Sequence, residues 1–188
     1  MNSDQAFLIA LGGNLPSKAG KPGKTLRLAL KYLQIAGGKN LSVSRFYSTP
    51  CFPAGAGPDY VNAAAKINYA GDAHDFLVVL HRIEDDFGRE RAQRWGRRTL
   101  DLDLIAAGDQ VLPDKAGFLR WQALPPDAQT QTTPDQLIVP HPRLQDRGFV
   151  LVPLADVAPD WHHPVLKKTV SQMLDEIPKA QLNNIIPL

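Results

Sequence analysis

The sequence has one cysteine, a small net charge and no long hydrophobic run, and each shortage excludes a class of protein. Cys51 is the single cysteine among 188 residues, so no internal disulfide can form, which fits a reducing cytosol. The formal net charge of +2 is too small to indicate binding along a nucleic acid. The apolar run at 6–11 is too short for a signal peptide or a membrane span. We therefore expect a cytoplasmic protein that binds neither nucleic acid nor membrane.

The positive charge that is present is concentrated in one place. Five arginines lie within ten residues, and they are Arg89, Arg91, Arg94, Arg97 and Arg98. Guanidinium groups bind phosphate through paired hydrogen bonds, and a local cluster favours a compact anion over a long polyanion. The run therefore predicts a phosphate-binding segment.

Two carboxylates follow directly after the arginine run. Asp101 and Asp103 are separated by one residue in a segment rich in leucine. In a strand they would point to the same side, with Leu102 and its apolar neighbours on the other. Two adjacent carboxylates suit a hard divalent cation such as Mg2+. The alternative is a solvent-exposed strand face whose counter-ions are the arginines, because alternating charge is normal on half-buried strands.

The spacing of apolar residues predicts the regular elements. Alternation indicates strands, helical spacing indicates helices, and Gly12, Gly13 and Asn14 indicate a turn after the first strand. The predicted strands are 6–11, 41–47, 60–69 and 101–107, and the predicted helices are 25–35 and 73–87. The order β-α-β-β-α-β predicts an α+β fold of the ferredoxin-like type, an antiparallel sheet with two helices on one face.

The rest of the chain gives weaker signals. Residues 111–136 hold several prolines and no steady period, which predicts a long surface loop inserted in a single domain of residues 1–188, with a short hairpin considered at its start. Residues 170–177 predict a short final helix in a C-terminal extension. Adjacent His162 and His163 would face opposite ways in a strand, so we interpret them as surface residues rather than a metal pair.

Three separated blocks carry a resemblance to a known family. They are Phe46-Tyr47-Ser48-Thr49-Pro50 with Asp59-Tyr60-Val61-Asn62-Ala63-Ala64, then Arg94-Trp95-Gly96-Arg97-Arg98-Thr99-Leu100-Asp101-Leu102-Asp103-Leu104, and Val139-Pro140-His141-Pro142 with Arg147-Gly148-Phe149. Together they resemble the 6-hydroxymethyl-7,8-dihydropterin pyrophosphokinase family over roughly residues 6–160. The resemblance implies a ferredoxin-like α+β fold. It also implies transfer of pyrophosphate from ATP to the pterin hydroxymethyl group in folate biosynthesis, giving AMP and the pterin diphosphate.

The resemblance also implies which residues bind the nucleotide and the metal. Asp101 and Asp103 would hold two Mg2+ ions that bridge the phosphates of ATP, and Arg89 and Arg98 would act in catalysis through the phosphates. The residues expected on the nucleotide side are Glu84, Arg91, Arg94, Trp95, Arg98, His141 and Arg147.

A second set of residues would bind the pterin. Tyr60 and Phe149 would sandwich its ring, and Asn62 would read its polar edge, because a side-chain amide offers both a donor and an acceptor. Thr49, Pro50 and Phe52 would line the pocket.

Two positions depart from the family pattern. Arg97 stands where the family usually has proline, and Pro142 stands where an aromatic residue is common.

Two other functions stay open. One alternative function is a different two-metal nucleotide transferase on the same scaffold, and the other is a nucleotide- or pterin-binding module without catalysis. The expected assembly is a monomer.

Overall fold

The structure is a computed structural model that describes residues 4–51, 57–88, 99–125, 128 and 132–188. Within these residues the strands are β1 (Gln5–Gly13), β2 (Lys39–Val43), β3 (Tyr47–Thr49), β4 (Tyr60–Tyr69), β5 (Asp101–Ala107) and β6 (Ile186–Pro187). The helices are α1 (Pro22–Ile35), α2 (Ala73–Asp86), α3 (Lys115–Gln122), α4 (Gly148–Val157), α5 (Val170–Asp175) and α6 (Lys179–Leu182). None of the helices in this part of the chain is long and apolar enough to cross a membrane.

The strands form one antiparallel sheet in the order β5-β1-β4-β3-β6, and β2 also pairs with β4. β1 lies between β4 and β5 and pairs with both along nearly its whole length. This arrangement confirms the predicted ferredoxin-like α+β fold. The predicted turn at Gly12 and Gly13 is wrong, because both residues continue β1.

The strand predicted at 41–47 is interrupted at Ser44. The Ser44 amide donates to the Ala64 carbonyl at 2.9 Å, and the Ser44 hydroxyl oxygen accepts from the Ala64 amide at 2.8 Å. A side-chain oxygen thus replaces a backbone carbonyl in the ladder, which lets the edge strand bend. The prediction of one continuous strand is therefore wrong, and β2 and β3 lie one after the other along β4.

Helices cover both faces of the sheet. Phe7, Ile9 and Leu11 of β1 pack in one buried cluster with α1 and α2, as predicted. The alternate residue Leu8 belongs to a second cluster, with Leu151 of α4 and residues of α5. The C-terminal extension therefore supplies the second layer of helices, which the pattern of the first hundred residues did not show.

The prediction of a long loop at 111–136 is wrong for residues 115–122, which form α3. Asp114 caps this helix by accepting from the Gly117 amide at 2.7 Å, and Phe118 is fully buried. The hairpin considered at the start of the segment does not form, because Leu112 pairs with Val139. A helix of only eight residues, one of them glycine, contains too few apolar positions for the helical period to be recognised in the sequence.

A buried glutamate attaches α2 to the edge strand β5. Glu84 is 0% exposed, and its Oε1 accepts a hydrogen bond from the Leu102 amide at 2.7 Å. Leu102 lies between Asp101 and Asp103, so this bond fixes the strand that carries both carboxylates. A lone glutamate on a helix is normally exposed, so the sequence gives no sign of this burial.

We expect the Glu84 hydrogen bond to contribute measurably to stability. Glu84→Gln keeps an oxygen that can accept from Leu102, whereas Glu84→Met keeps the length of the side chain and removes the acceptor. Leaving a buried amide unsatisfied costs about 1–3 kcal/mol, so Glu84→Met should have the lower free energy of unfolding by about that amount in urea titrations. Equal stability of the two variants would contradict this account.

His163 is buried, in contrast to the surface position predicted for it. It is 0% exposed, and its Nδ1 accepts from the amides of Val165 and Leu166, both at 3.2 Å. Its ring lies against Phe118, with ring centroids 5.2 Å apart. Burial lowers the pKa of His163 from 6.5 to about 4, because a charged imidazolium loses its hydration there. The neighbouring His162 is exposed, as predicted.

The lowered pKa of His163 makes stability depend on pH. The unfolded chain protonates this histidine near pH 6.5 and the folded chain near pH 4, so its contribution is complete above pH 6.5 and decreases as the pH falls toward 4. His163→Asn keeps an acceptor near Nδ1 but does not titrate. Between pH 7 and 5 the wild type should therefore lose about 2 kcal/mol more unfolding free energy than this variant. Urea titrations at the two pH values measure the difference, and parallel losses would contradict the assignment.

Candidate active site

Strand register places three predicted site residues in two adjacent rows across the sheet. Gly12 of β1 pairs with Asn62 of β4 on one side and with Asp101 of β5 on the other. Asp103 pairs with Ala10 in the next row on the same face. Neighbouring strands lie about 4.8 Å apart, so the Asn62 and Asp101 backbones are about 10 Å apart. The rows bring one predicted pterin residue close to both predicted metal ligands.

All of these side chains lie on the sheet face that α4 covers. Leu102 and Leu104 pack in the cluster with α1 and α2, and alternation directs Asp101 and Asp103 to the opposite face. A β-bulge in β5 follows, because Leu8 pairs with Ala106 while Ile9 pairs with Leu104. Ile105 faces the α4 cluster by ordinary alternation, and the bulge lets Ala106 face the same cluster directly after it.

The amide of Asn62 is held in place by Thr49. Asn62 is 7% exposed, and its Nδ2 donates to Thr49 Oγ1 at 2.7 Å. Thr49 ends β3 and pairs with Tyr60, while Asn62 pairs with Tyr47. The structure thus brings Thr49, Asn62 and Tyr60 together at one edge of the sheet face. Pro50 follows β3 and is exposed.

Phe149 lies above this face, in the first turn of α4. It is 42% exposed and lines a cavity together with Gly12, Asn62, Asp101 and Asp103. The cavity volume is about 30 Å3, which is room for about one water molecule. A bicyclic ring would therefore enter only if the Phe149 side chain moved outward. Tyr60 shares the sheet face with Asn62 but does not line the cavity.

An ion-pair cluster fixes α4 to the strand that carries Thr49. Asp156 of α4 accepts from the Tyr47 hydroxyl at 2.8 Å and from Arg45 Nη2 at 2.8 Å. Asp156 also accepts from the Arg45 backbone amide at 3.1 Å. Burial, together with the bond to Asp156, raises the pKa of Tyr47 to about 12, so this hydroxyl stays a donor. Because Phe149 and Asp156 lie two turns apart on one helix, the cluster also positions Phe149.

Asp101 and Asp103 fit a divalent metal ion by their chemistry. Both carboxylates border the same cavity, and Mg2+ often takes one or two carboxylates and fills its other positions with phosphate oxygens and water. Within the described residues no group of three or more His, Cys, Asp or Glu side chains could hold a metal ion. Arg147 Nη1 lies 4.0 Å from Asp103 Oδ2. The guanidinium carbon of Arg147 lies 5.8 Å from the centre of the Phe149 ring.

His141 is neutral in this site. Its Nδ1 accepts from the Arg143 amide at 3.1 Å, and its own amide donates to the Ile105 carbonyl at 2.9 Å. Burial lowers the pKa of His141 to about 3, the charge of Arg147 acts in the same direction, and the charge of Asp101 opposes both. With Nδ1 accepting, the ring proton is on Nε2, which can donate to an anion.

Several predicted residues lie outside the described part of the chain. They are Phe52, Arg89, Arg91, Arg94, Trp95, Arg97 and Arg98. Glu84 is described, and it accepts a hydrogen bond from the amide of Leu102, the residue between the two site aspartates. The assignments of all these residues to ATP or pterin stay predictions.

Five residues that line the cavity were not predicted from the sequence as site residues, and they are Ala10, Leu11, Gly12, Ala63 and Val150. Gly12 lines it between Asn62 and Asp101, but the pair Gly12 and Gly13 had been interpreted as a turn. The signal that could have found it is the alternation of Leu8, Ala10 and Gly12, which continues one strand face past the predicted end of the strand.

Known proteins are similar to this chain over most of its length. A family model described as 7,8-dihydro-6-hydroxymethylpterin-pyrophosphokinase matches residues 8–159. Three curated proteins named 2-amino-4-hydroxy-6-hydroxymethyldihydropteridine pyrophosphokinase are similar in sequence. The Synechocystis sp. protein is 35% identical over 90% of this chain and 75% of its own length, and that of Haemophilus influenzae is 33% identical over 89% and 92%. The protein of Pseudomonas aeruginosa is 36% identical over 85% of each chain.

Solved structures agree on the fold. Plasmodium falciparum HPPK-DHPS, crystallised with pteroate, matches 98% of this chain with a TM-score of 0.65 and 14% identity. A second structure of the same wild-type protein matches 94% of this chain with a TM-score of 0.63 and 15% identity. This chain spans less than half of each of these chains, 47% and 45%.

The family model covers most of the chain, and the three curated relatives all exceed 30% identity. On this basis the chain belongs to the 7,8-dihydro-6-hydroxymethylpterin-pyrophosphokinase family.

Proposed function

We propose that this chain transfers pyrophosphate from ATP to the hydroxymethyl group of 6-hydroxymethyl-7,8-dihydropterin in folate biosynthesis, giving AMP and the pterin diphosphate. Family membership gives the reaction and its two substrates. The observation that carries the proposal for this site is that Asn62, Phe149, Asp101 and Asp103 border one cavity on one sheet face. A pterin-reading amide and a metal-binding carboxylate pair are thus close enough to serve one transfer.

The carboxylates would hold Mg2+, with two ions expected. When bound, the ions would neutralise charge on the ATP phosphates, which is the main requirement of phosphoryl transfer. Asp101 and Asp103 contribute by their fixed spacing on β5, which the bond from Leu102 to Glu84 maintains.

The hydrogen-bond donors around the carboxylates would position the phosphates. His141 would donate from Nε2, and Arg147 would move from Asp103 to a phosphate oxygen, since both anions attract its guanidinium group. Arg89, Arg91, Arg94, Trp95 and Arg98 are proposed to complete the nucleotide side on the basis of the sequence resemblance. Positioning of this kind replaces covalent chemistry by the protein.

The pterin would lie between Phe149 and Tyr60, with its polar edge against the Asn62 amide. Phe149 is half exposed in the first turn of α4, so its ring can rotate outward to admit the heterocycle. The pterin hydroxyl oxygen would then bond to the β-phosphorus of ATP while the bond from that phosphorus to the AMP oxygen breaks, and the hydroxyl proton leaves to solvent. Thr49, Pro50 and Phe52 would line the pocket.

The setting of the reaction is also proposed. With one cysteine and therefore no internal disulfide, the chain suits a reducing cytoplasm. We propose that it acts there as a monomer, because a single chain already brings Asn62, Phe149 and the two carboxylates to one cavity.

Release of AMP tests the proposed function directly. ATP and Mg2+ are incubated with the protein in the presence and absence of 6-hydroxymethyl-7,8-dihydropterin. We expect AMP only when the pterin is present, in amounts equal to the pterin diphosphate formed. Pterin binding without AMP would indicate a non-catalytic module, and AMP release without pterin would indicate a different nucleotide transferase.

The carboxylate pair should be necessary for turnover but not for folding. Asp101→Ala and Asp103→Ala should each lower kcat by at least roughly 100-fold, the scale on which losing one stabiliser of transition-state charge acts. Far-UV circular dichroism and the urea midpoint should stay close to those of the wild type. Asp109→Ala, an exposed aspartate just after the same strand, is the matched control and should keep full turnover. Near-normal kcat in both site variants would refute the metal assignment.

A further inference from the structure

The floor of the cavity contains a position without a side chain. Gly12 lies between Asn62 and Asp101 in one row of the sheet, and all three border the cavity. Any other residue at position 12 would place a Cβ on the sheet face from which the Asn62 amide and the Asp101 carboxylate project. The glycine therefore keeps open the space between the proposed pterin and metal subsites.

The side-chain amide of Asn62 lies between Thr49 and the space above Gly12. On one side its Nδ2 donates to Thr49 Oγ1 at 2.7 Å. On the other side a Cβ added to Gly12 would lie 3.0 Å from Asn62 Oδ1, which is tighter than an ordinary carbon–oxygen contact. Among the described atoms, Oδ1 of Asn62 is the one that this Cβ would meet within 4 Å. A methyl group at position 12 would thus push the amide oxygen and leave the Asp101 carboxylate untouched.

Gly12 is not required by the backbone. Its φ lies outside the left-handed range that favours glycine, in contrast to Gly20 and Gly37. It pairs regularly on both sides within β1, so alanine fits the strand. The reason for glycine at this position must therefore be the space above it.

We infer that Gly12 is a positioning residue for pterin recognition, because its missing side chain leaves room for the Asn62 amide oxygen beside β1 at the cavity. This inference rests on the proposed function, in which Asn62 reads the polar edge of the pterin. The amide has one N–H committed to Thr49, which leaves Oδ1 and the second N–H as an acceptor–donor pair. Such a pair is matched by a ring edge that carries an N–H beside a ring nitrogen or carbonyl. A shift of a few tenths of an ångström in Oδ1 would weaken both of the hydrogen bonds that the Asn62 amide is proposed to make with the pterin.

A double-mutant cycle tests the inference. Gly12→Ala, Asn62→Ala and the double variant are titrated with 6-hydroxymethyl-7,8-dihydropterin in the presence of Mg2+ and a non-hydrolysable ATP analogue, and binding is followed by pterin fluorescence. We expect Gly12→Ala to weaken pterin binding about tenfold in the wild-type background, equivalent to about one hydrogen bond. In the Asn62→Ala background the same change should cost less than about twofold, because its target is gone.

Two further readouts separate positioning from general damage. The Kd of the ATP analogue should stay within about twofold of the wild-type value, and KM for the pterin should rise more than kcat falls. Gly23→Ala is the matched control, since a Cβ there meets nothing within 4 Å, and it should not weaken pterin binding.

Three results would overturn the inference. The first is full pterin affinity in Gly12→Ala, and the second is an equal loss in both backgrounds, which would mean that position 12 acts on the sheet and not on Asn62. The third is unchanged affinity in Asn62→Ala, which removes the pterin contact on which the inference depends. None of these results bears on pterin-dependent release of AMP by the wild type, so failure of the inference and failure of the proposed function are distinguishable.

Discussion

The antiparallel register of β1 with both of its neighbours is the constraint on which the site depends. Gly12 faces Asn62 on one side and Asp101 on the other, so a shift by one residue in either ladder would turn one of these side chains into the α1 and α2 core. The register is fixed because β1, β4 and β5 each bury apolar side chains on that face. The packing that stabilises the fold therefore also assembles the site.

Hydrogen bonds from neighbouring elements hold the residues around this row in place. Glu84 holds the edge strand β5 from α2, and Thr49 holds the Asn62 amide from β3. Asp156 ties α4, and with it Phe149, to the same edge of the sheet. Arg147 lies between Asp103 and Phe149, so one side chain contacts both the proposed metal subsite and the proposed pterin subsite. The carboxylates and the ring are thus held by separate elements that converge on one cavity.

Much of this could be predicted from sequence, and the failures have physical causes. Periodicity located the four core strands and two helices, and the spacing of Asp101 and Asp103 gave their common face. The strand break at Ser44 was not predicted, because there a serine hydroxyl replaces a backbone carbonyl as hydrogen-bond acceptor. The pattern of apolar residues does not show such a replacement. Burial of Glu84 and His163 depends on partners distant in sequence, the Leu102 amide and Phe118. Gly12 was mistaken for a turn residue because glycine marks both turns and close approaches.

The carboxylate pair and Asn62 share one face of the sheet and border one cavity, and we propose that metal and pterin bind there side by side. Paramagnetic broadening tests it most directly, with Mn2+ and a non-hydrolysable ATP analogue added to 15N-labelled protein. We expect strong broadening of the Asn62 side-chain amide signals in the wild type. We expect little broadening in Asp101→Ala/Asp103→Ala, where the ion has lost its ligands. Sharp Asn62 signals in the metal-loaded wild type would contradict the shared site.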